Sequence, residues 1–453
     1  MESMNWGKEF FNLQFSDKRL QKRFFQMMDS FSHEPGNSIL SACGSRSQAK
    51  AVYRLLAKDE LSCEELLNSI SQATIQKIKQ LPNEKILLIQ DTTELSFGYR
   101  EGIQNMGYYC DSNQKGMLVH SCIAVTQKGL VLGVVHQEYR TRKQRKNTTE
   151  TYEQRKRKPI EEKESFKWIS TVRKCHEIIP NDIETITICD REGDFYELFA
   201  EAKKQKEIIL IRLFQNRAIG EEKHLFEKMK ESPVCGNLVI QMSRNPKEHL
   251  PTRMIKMEYH YEKVQIKKPY RRTEAHLEEE VEFTVIYVHE TQKKNGIHWY
   301  LITNAEIHTD TDVEEQIRNY IQRWKIERFH SILKSGCKIE EKQVRSYEKL
   351  SCLSVLYSVI ALQIMHMTYL GKLCPNLPAE LFLENEEIKH LYFAARKTKI
   401  VSKKVYTIKD MILDLAALGG RRLAPSDGMP GVSSIWKGLE KFYTLLEYRD
   451  FLT

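Results

Sequence analysis

"KILLIQDTTELSF", Lys85 to Phe97, sets a short apolar run directly ahead of an acid, Asp91. A run this short and this apolar predicts a strand buried on both faces, with the carboxylate at its C-terminal end. The same pattern recurs in "ETITICDREGDFYELF", Glu184 to Phe199, where a second strand ends on Asp190, and Gly193 and Asp194 lead into a helix. Between the two, "GMLVHSCIAVTQKGLVLGVVHQEY" (Gly116 to Tyr139) reads as a hairpin turning at Gln127, Lys128 and Gly129. "PIEEKESFKWISTVRKCHEII" (Pro159 to Ile179) has helical periodicity, and "KEIILIRLF" (Lys206 to Phe214) adds a further strand. This succession predicts an α/β sheet, and open α/β sheets gather their chemistry at strand C-termini.

Outside this block the rhythm changes. Residues from about 215 to 300 alternate polar and apolar in "EFTVIYVHE" and "IHWYLITNA" around a Lys-rich middle, which predicts a β-rich insertion. The first 65 residues read as short helices with basic faces: "SDKRLQKRFFQMMDSF" opens on Ser16 or Asp17 as N-cap, and "SRSQAKAVYRLLAKDE" repeats the pattern. Such helices suit a DNA-binding module or a peripheral bundle. From about 348 onward the chain is helical, and its segment Leu350 to Gly371 runs 22 residues without a charge. Serines, Gln363, His366 and Thr368 within it argue against a membrane span and for a buried helix.

A third acid lies in "YIQRWKIERFHSILK", Tyr320 to Lys334. On one uniform helix at about 100° per residue, Tyr320, Arg323, Glu327 and Lys334 share a narrow face, while Ile326, Phe329 and Leu333 lie on another. A solvated charged face is one reading, and Asp91 as a turn cap, Asp190 as an N-cap and Glu327 paired with Arg323 are its local counterparts. Convergence of Asp91, Asp190 and Glu327 is the other. Three carboxylates brought together repel unless a hard cation neutralises them, and Mg²⁺ prefers carboxylate oxygen with positions left open for water and phosphate. Two such ions can activate water and stabilise the departing 3′ oxygen of a phosphodiester, with Arg323, Lys334 and Tyr320 on its phosphates.

Composition narrows the partners. The 453 residues carry 70 Lys and Arg against 61 Asp and Glu, a formal charge of +9. Nine of those cations lie between Arg140 and Lys158, a stretch with almost nothing apolar that suits a polyanion or a solvated linker. The 10 cysteines show no CxxC pair, which fits reduced thiols in the cytoplasm, and the N-terminal residues lack the n- and h-regions of an export signal. No P-loop, convincing GxGxxG or HExxH motif is present, so nucleotide-driven and zinc-protease chemistry have no support. His120 and His136 lie in strand-like runs and read as core or rim histidines.

Taken in order, "IQDTTELSF", "GMLVHS", "GVVHQEY", "EKESFKW", "CDREGDFY" and "YIQRWKIERFHSILKSG" resemble the cut-and-paste DDE transposases of the bacterial IS-four group, of the Tn-five-like kind, over nearly the whole chain. That resemblance implies an RNase H-like catalytic core with a β-rich insertion at about 215–300, spanning 66–347. It is flanked by a helical end-binding domain at 1–65 and a helical dimerisation domain at 348–453. It implies that Asp91, Asp190 and Glu327 hold two Mg²⁺ or Mn²⁺ ions, that Tyr320, Arg323 and Lys334 grip phosphates, and that Trp299 stacks on a flipped base. Arg212 corresponds to a strand arginine near the site, and Arg23 and Arg54 to end-binding positions. The implied partners are double-stranded DNA with terminal inverted repeats, target DNA and a second copy of the chain, with no membrane. The implied reaction is nicking, hairpin formation and joining of 3′ ends to a target; a silent or nuclease-only relative is the alternative. The chain departs from its relatives after the first helix, where His33 and Glu34 stand in place of lysine and tyrosine, and at the basic loop 140–158, which is more acidic in a relative.

Overall fold

The protein is described by a computed structural model covering residues 9–81, 83–110, 112–144, 151, 154, 157–219, 223–242, 253–269, 277–293, 296–398, 405–421 and 429–452. At its centre is strand β1 (Ile86–Gly98), whose side chains alternate between two cores. Leu87 and Ile89 pack with Ile326, Phe329 and Leu333, whereas Ile86 and Leu88 pack on the opposite face with Ile78 and Cys175. Full burial of each such side chain contributes roughly 1.5–3 kcal/mol, which is why the apolar run is a central strand.

β1 pairs antiparallel with β2 (Lys115–Thr126), which pairs with β3 (Val131–Arg140) across the expected turn, where Gly129 takes φ +89°. On its other side β1 runs parallel to β4 (Thr185–Cys189), and β4 parallel to β5 (Ile208–Arg212). The parallel ladder ends at Ile89 opposite Ile188, but β1 continues to Gly98 because β2 pairs with it along its whole length. Asp91 is therefore mid-strand, just past the end of the parallel ladder, and not at the end of the strand as the apolar run suggests.

The β-rich insertion is not a separate layer. After the short ribbon β6 (Ala218–Ile219) and β7 (Lys223–His224) and helix α7 (Leu225–Glu231) come β8 (Gly236–Met242), β9 (Arg253–Lys267), β10 (Glu280–Glu290) and β11 (His298–Thr303). β11 pairs antiparallel with β5, Leu301 opposite Arg212 and Thr303 opposite Leu210. Among the described residues the sheet thus has nine strands in the order β3-β2-β1-β4-β5-β11-β10-β9-β8. Residues 270–276 of the Lys-rich middle, and residues 145–150, 152, 153, 155 and 156 of the basic loop 140–158, lie outside the described residues.

The N-terminal helices α1 (Lys18–His33), α2 (Ile39–Ala42) and α3 (Arg46–Leu55) form as read: Asp17 caps α1 by accepting from Arg19 N, and Ser45 caps α3 by accepting from Gln48 N. α4 (Cys63–Lys79) crosses the expected boundary at 65 and lies against β3, where Thr74 donates to the Val134 carbonyl at 2.8 Å. Gly133 permits this approach, since a Cβ there would stand 2.1 Å from the Thr74 hydroxyl. α5 (Phe166–Ile178) and α6 (Tyr196–Gln205) cover the other face.

The stretch Tyr320 to Lys334 is not one uniform helix. α8 (Asp310–Ile321) ends in a tight joint in which Arg323 N bonds the Tyr320 carbonyl and Ile326 N the Arg323 carbonyl, each three residues back. α9 (Trp324–Ser331) then widens into a π turn over Ile332–Gly336, closed by Cys337 N on the Ile332 carbonyl at 2.8 Å. A tightened turn followed by a widened one displaces Lys334 from the face assigned by uniform 100° steps.

α10 (Tyr347–Leu373) is long and apolar enough to cross a membrane by length and composition, yet 83% of its most apolar window is buried inside the protein. Its hydroxyls are satisfied by the helix itself: Ser351, Ser354, Ser358 and Thr368 each donate to the carbonyl four residues back. α11 (Asn385–Arg396), α12 (Ile408–Leu418) and α13 (Val432–Leu452) complete the helical C-terminal layer. α13 reaches back to the N-terminal helices, where the Tyr443 ring stacks on His33 at 4.2 Å and Glu440 accepts from Gly36 N at 3.0 Å.

Candidate active site

Asp91 has a side chain only 16% exposed; one carboxylate oxygen accepts from Thr92 N at 2.7 Å and the other lies 3.7 Å from Arg323. Burial pushes its carboxyl up to about 7, with the negative charge of Asp190 adding, Arg323 opposing and Glu327 adding further. Asp190 directly follows β4 and caps a short 3₁₀ turn by accepting from Glu192 N at 2.8 Å, while Glu327 in the first turn of α9 accepts from Arg323 at 2.5 Å. Three acids from three elements therefore share one electrostatic neighbourhood, and the Arg323 guanidinium lies against two of them, Asp91 and Glu327.

Arg323 is 7% exposed; burial opposes its charge, but Tyr320, Glu327 and Asp91 together hold it above its usual range. Tyr320 is buried, its hydroxyl near Arg323 and Arg212 without a well-formed hydrogen bond. Burial above all pushes that phenol up to about 12. Trp299, also buried, packs edge-on against the Tyr320 ring at 5.4 Å. Arg212 is pushed below its usual value by burial, partly offset by Tyr320 and reinforced by Arg191 and Arg323. Lys334 stands apart, farther along β1, where it donates to the Glu94 carbonyl at 2.8 Å and lies 3.6 Å from Glu340. Arg23 and Arg54 are exposed on α1 and α3.

Behind the acids is a polar scaffold, of which sequence reading placed His120 alone, as a core or rim histidine. His120 bonds Thr92 at 2.9 Å and Gln90 at 3.2 Å, bracketing Asp91, and His330 of α9 bonds Ser121, the cross-strand partner of Asp91. Both histidines are buried and pushed far below the usual range by that burial, so they act as neutral hydrogen-bonding spacers. Asp194 is likewise structural: it accepts from Phe214 N at 2.6 Å and Gln215 N at 2.7 Å and pairs with Arg217. Its place in "CDREGDFY", shortly after Asp190 and ahead of a helix, is its only sequence signal.

The donor chemistry fits a hard divalent cation, since three carboxylate groups face a shortage of positive charge that Arg323 only partly meets. Among the described residues no group of three or more His, Cys, Asp or Glu side chains is drawn closely enough to hold a metal ion, and Glu327 is turned onto Arg323. Ionised Asp91 carries an electrostatic penalty that gives a testable sign. Above pH 7 the carboxyl is charged in both folded and unfolded chains, and only the folded one pays for burial and repulsion. As pH falls from 7 towards 4 the folded chain takes up a proton that the unfolded chain does not, and the penalty fades. Asp91→Asn is expected to stabilise the metal-free protein by on the order of 1–3 kcal/mol at pH 8 and by nothing below pH 4. Urea melts across that range check it, and a pH-independent difference would refute it.

Residues 3–61 match the family model described as Transposase DNA-binding, and residues 359–451 match Transposase Tn5 dimerisation domain. These matches at its N- and C-terminal regions indicate a Tn5-like transposase of the IS4 family. In this transposase the first match spans α1 to α3 with their exposed arginines, and the second runs from within α10 through α13. A solved structure, the cryo-EM synaptic complex of piggyBac transposase with hairpin DNA, is similar at 10% identity and TM-score 0.37, covering 97% of this chain and 73% of that one. At that score the likeness carries no argument. The contact of His33 and Gly36 with α13 joins the DNA-binding match to the dimerisation match.

Proposed function

We propose that the protein is a metal-dependent DDE transposase that binds the terminal inverted repeats of its own insertion sequence, excises it by nicking and hairpin formation, and joins the 3′ ends to target DNA. The observation that carries this is the Asp91 carboxyl, pushed up to about 7 beside Asp190 and Glu327 at the end of a parallel ladder. The strand order β3-β2-β1-β4-β5, with its antiparallel and parallel halves, supports an RNase H-like core spanning 66–347. Residues 1–65 then serve as the end-binding domain and 348–453 as the dimerisation domain of a homodimer acting in the cytoplasm.

Asp91, Asp190 and Glu327 would hold two Mg²⁺ or Mn²⁺ ions, which when bound supply activation of a water or 3′ hydroxyl and stabilise the leaving oxygen. For Glu327 to turn inward it must release Arg323. The guanidinium then points to a phosphate, a partner that satisfies its charge as the carboxylate did. Tyr320 donates its hydroxyl to the same backbone, Lys334 adds a cation farther along β1, and Arg212 adds one beside β11. Trp299 must leave its packing against Tyr320 to stack on a displaced base.

The test is to incubate the protein and its Asp190→Ala variant with DNA carrying the inverted repeats that flank its gene, with and without Mg²⁺, and resolve products on denaturing gels. Metal-dependent 3′ nicks followed by hairpins, absent in the variant, are expected. Tight end binding without cleavage by either protein would overturn the catalytic reading and favour a silent relative, for which the Arg323–Glu327 pair is the one structural support.

A further inference from the structure

On the face of β11 opposite Trp299, a cavity of about 530 Å³ is lined by Arg191, Arg212, Phe214, Lys230, Lys293 and Tyr300, among others. Successive strand residues point to opposite faces, so Trp299 and Tyr300 serve different cores, and the cavity's wall at Tyr300 lies across β11 from the Trp299–Tyr320 packing while Arg212 borders both. Its volume is within the roughly 300–1,000 Å³ usual for small-ligand pockets, room for one nucleotide and too little for a base pair.

Its wall is a column of parallel rings. Phe226 stacks on Tyr300 at 3.9 Å, Tyr300 on Tyr287 at 4.6 Å and Tyr287 on His289 at 5.0 Å, with interplanar angles of 14°, 15° and 6°. At the mouth Phe214 is 66% exposed, with the Arg191 guanidinium 5.7 Å from its ring centre. Among the described residues four cations line the space against one acid, Glu290, both of whose oxygens are bound by Arg253 at 2.6 and 3.2 Å. Crowding by Arg191 and Arg323 adds to the burial that weakens the charge of Arg212, an excess of positive potential that an anion relieves.

Exposed aromatic surface beside uncompensated cations is the chemistry of single-stranded nucleic acid, whose bases stack and whose phosphates pair. Location makes the strand specific: Arg191 follows Asp190 directly in the chain, and Arg212 borders both Tyr320 and the cavity. We propose that this cavity holds an unpaired nucleotide of the DNA strand next to the carboxylate site, its base on Phe214 and its phosphate between Arg191 and Arg212. This rests on the transposase reading for the identity of the strand.

The experiment reads binding alone, without Mg²⁺, on the full-length protein. A four-residue single-stranded oligonucleotide carrying 2-aminopurine is titrated against wild type, Phe214→Ala and Lys293→Glu, both exposed positions outside the carboxylate site. Wild type is expected to quench the probe, and each variant to bind about tenfold more weakly while holding the duplex inverted repeat as before. Equal affinity in all three proteins would overturn the assignment, as would a free mononucleotide competing as well as the oligonucleotide. Cleavage is not read, so the two proposals fail separately: oligonucleotide binding through Phe214 in a protein that never nicks its ends would sink the catalytic reading alone.

Discussion

Glu327→Gln is expected to leave binding of the inverted repeats intact and to slow strand cleavage by about 10³-fold or more. Glutamine keeps the length and shape of the side chain and can still accept from Arg323, so α9 and its buried residues Ile326 and Phe329 stay in place. It no longer offers an anionic oxygen, which removes one of the three charges proposed to hold the cations. End binding is assigned to α1–α3, which the substitution does not touch. Gel-shift and denaturing-gel assays on one DNA fragment separate the two properties. Mg²⁺-dependent cleavage at wild-type rate would show that Glu327 serves only as the partner of Arg323.

The second large effect concerns stability. Asp194→Ala is expected to cost about 3–5 kcal/mol, because it strands a buried cation and two backbone donors together. The Asp194 side chain is 0% exposed and that of Arg217 13%, so neither water nor another acid replaces the lost carboxylate easily. Phe214 N and Gln215 N lose their acceptor in the same stroke, and the segment after β5 is released from the turn after β4. Urea unfolding measures it; a loss under about 1 kcal/mol would show that the pair is dispensable. Asp194→Asn, which retains an acceptor, should cost less.

The strands around Asp91 and Asp190 were legible because a run of large apolar residues without polar alternation has few fates other than a buried strand. The point at which β1 stops was not, since Thr92, Thr93 and Glu94 are ordinary strand residues only because β2 lies beside them, and that pairing is tertiary. The joint at Arg323 and the π turn after Ser331 were hidden for a similar reason: no proline or glycine interrupts Gln322 to Lys334, and the departure from uniform helix is seen only in the backbone bonds. Site residues that carry charge at a strand end were visible, as was His120 as a core or rim histidine; Asp194 and His330, whose roles depend on partners far along the chain, were not. The Arg323–Glu327 pair, four residues apart, was foreseen as the simple local alternative, and it is the arrangement the side chains adopt.

The ladder between β5 and β11 also determines how this chain can be cut or spliced. Were β6 through β11 excised and the ends joined, β5 would be left with a bare row of amide and carbonyl groups along its outer side, where Leu210 and Arg212 now face Thr303 and Leu301. An unprotected border of that kind recruits other chains, so a shortened protein would be prone to precipitate or pair with copies of itself, whatever its active site retained. The added strands thus act as a selvedge, finishing a fabric that would otherwise fray into aggregates.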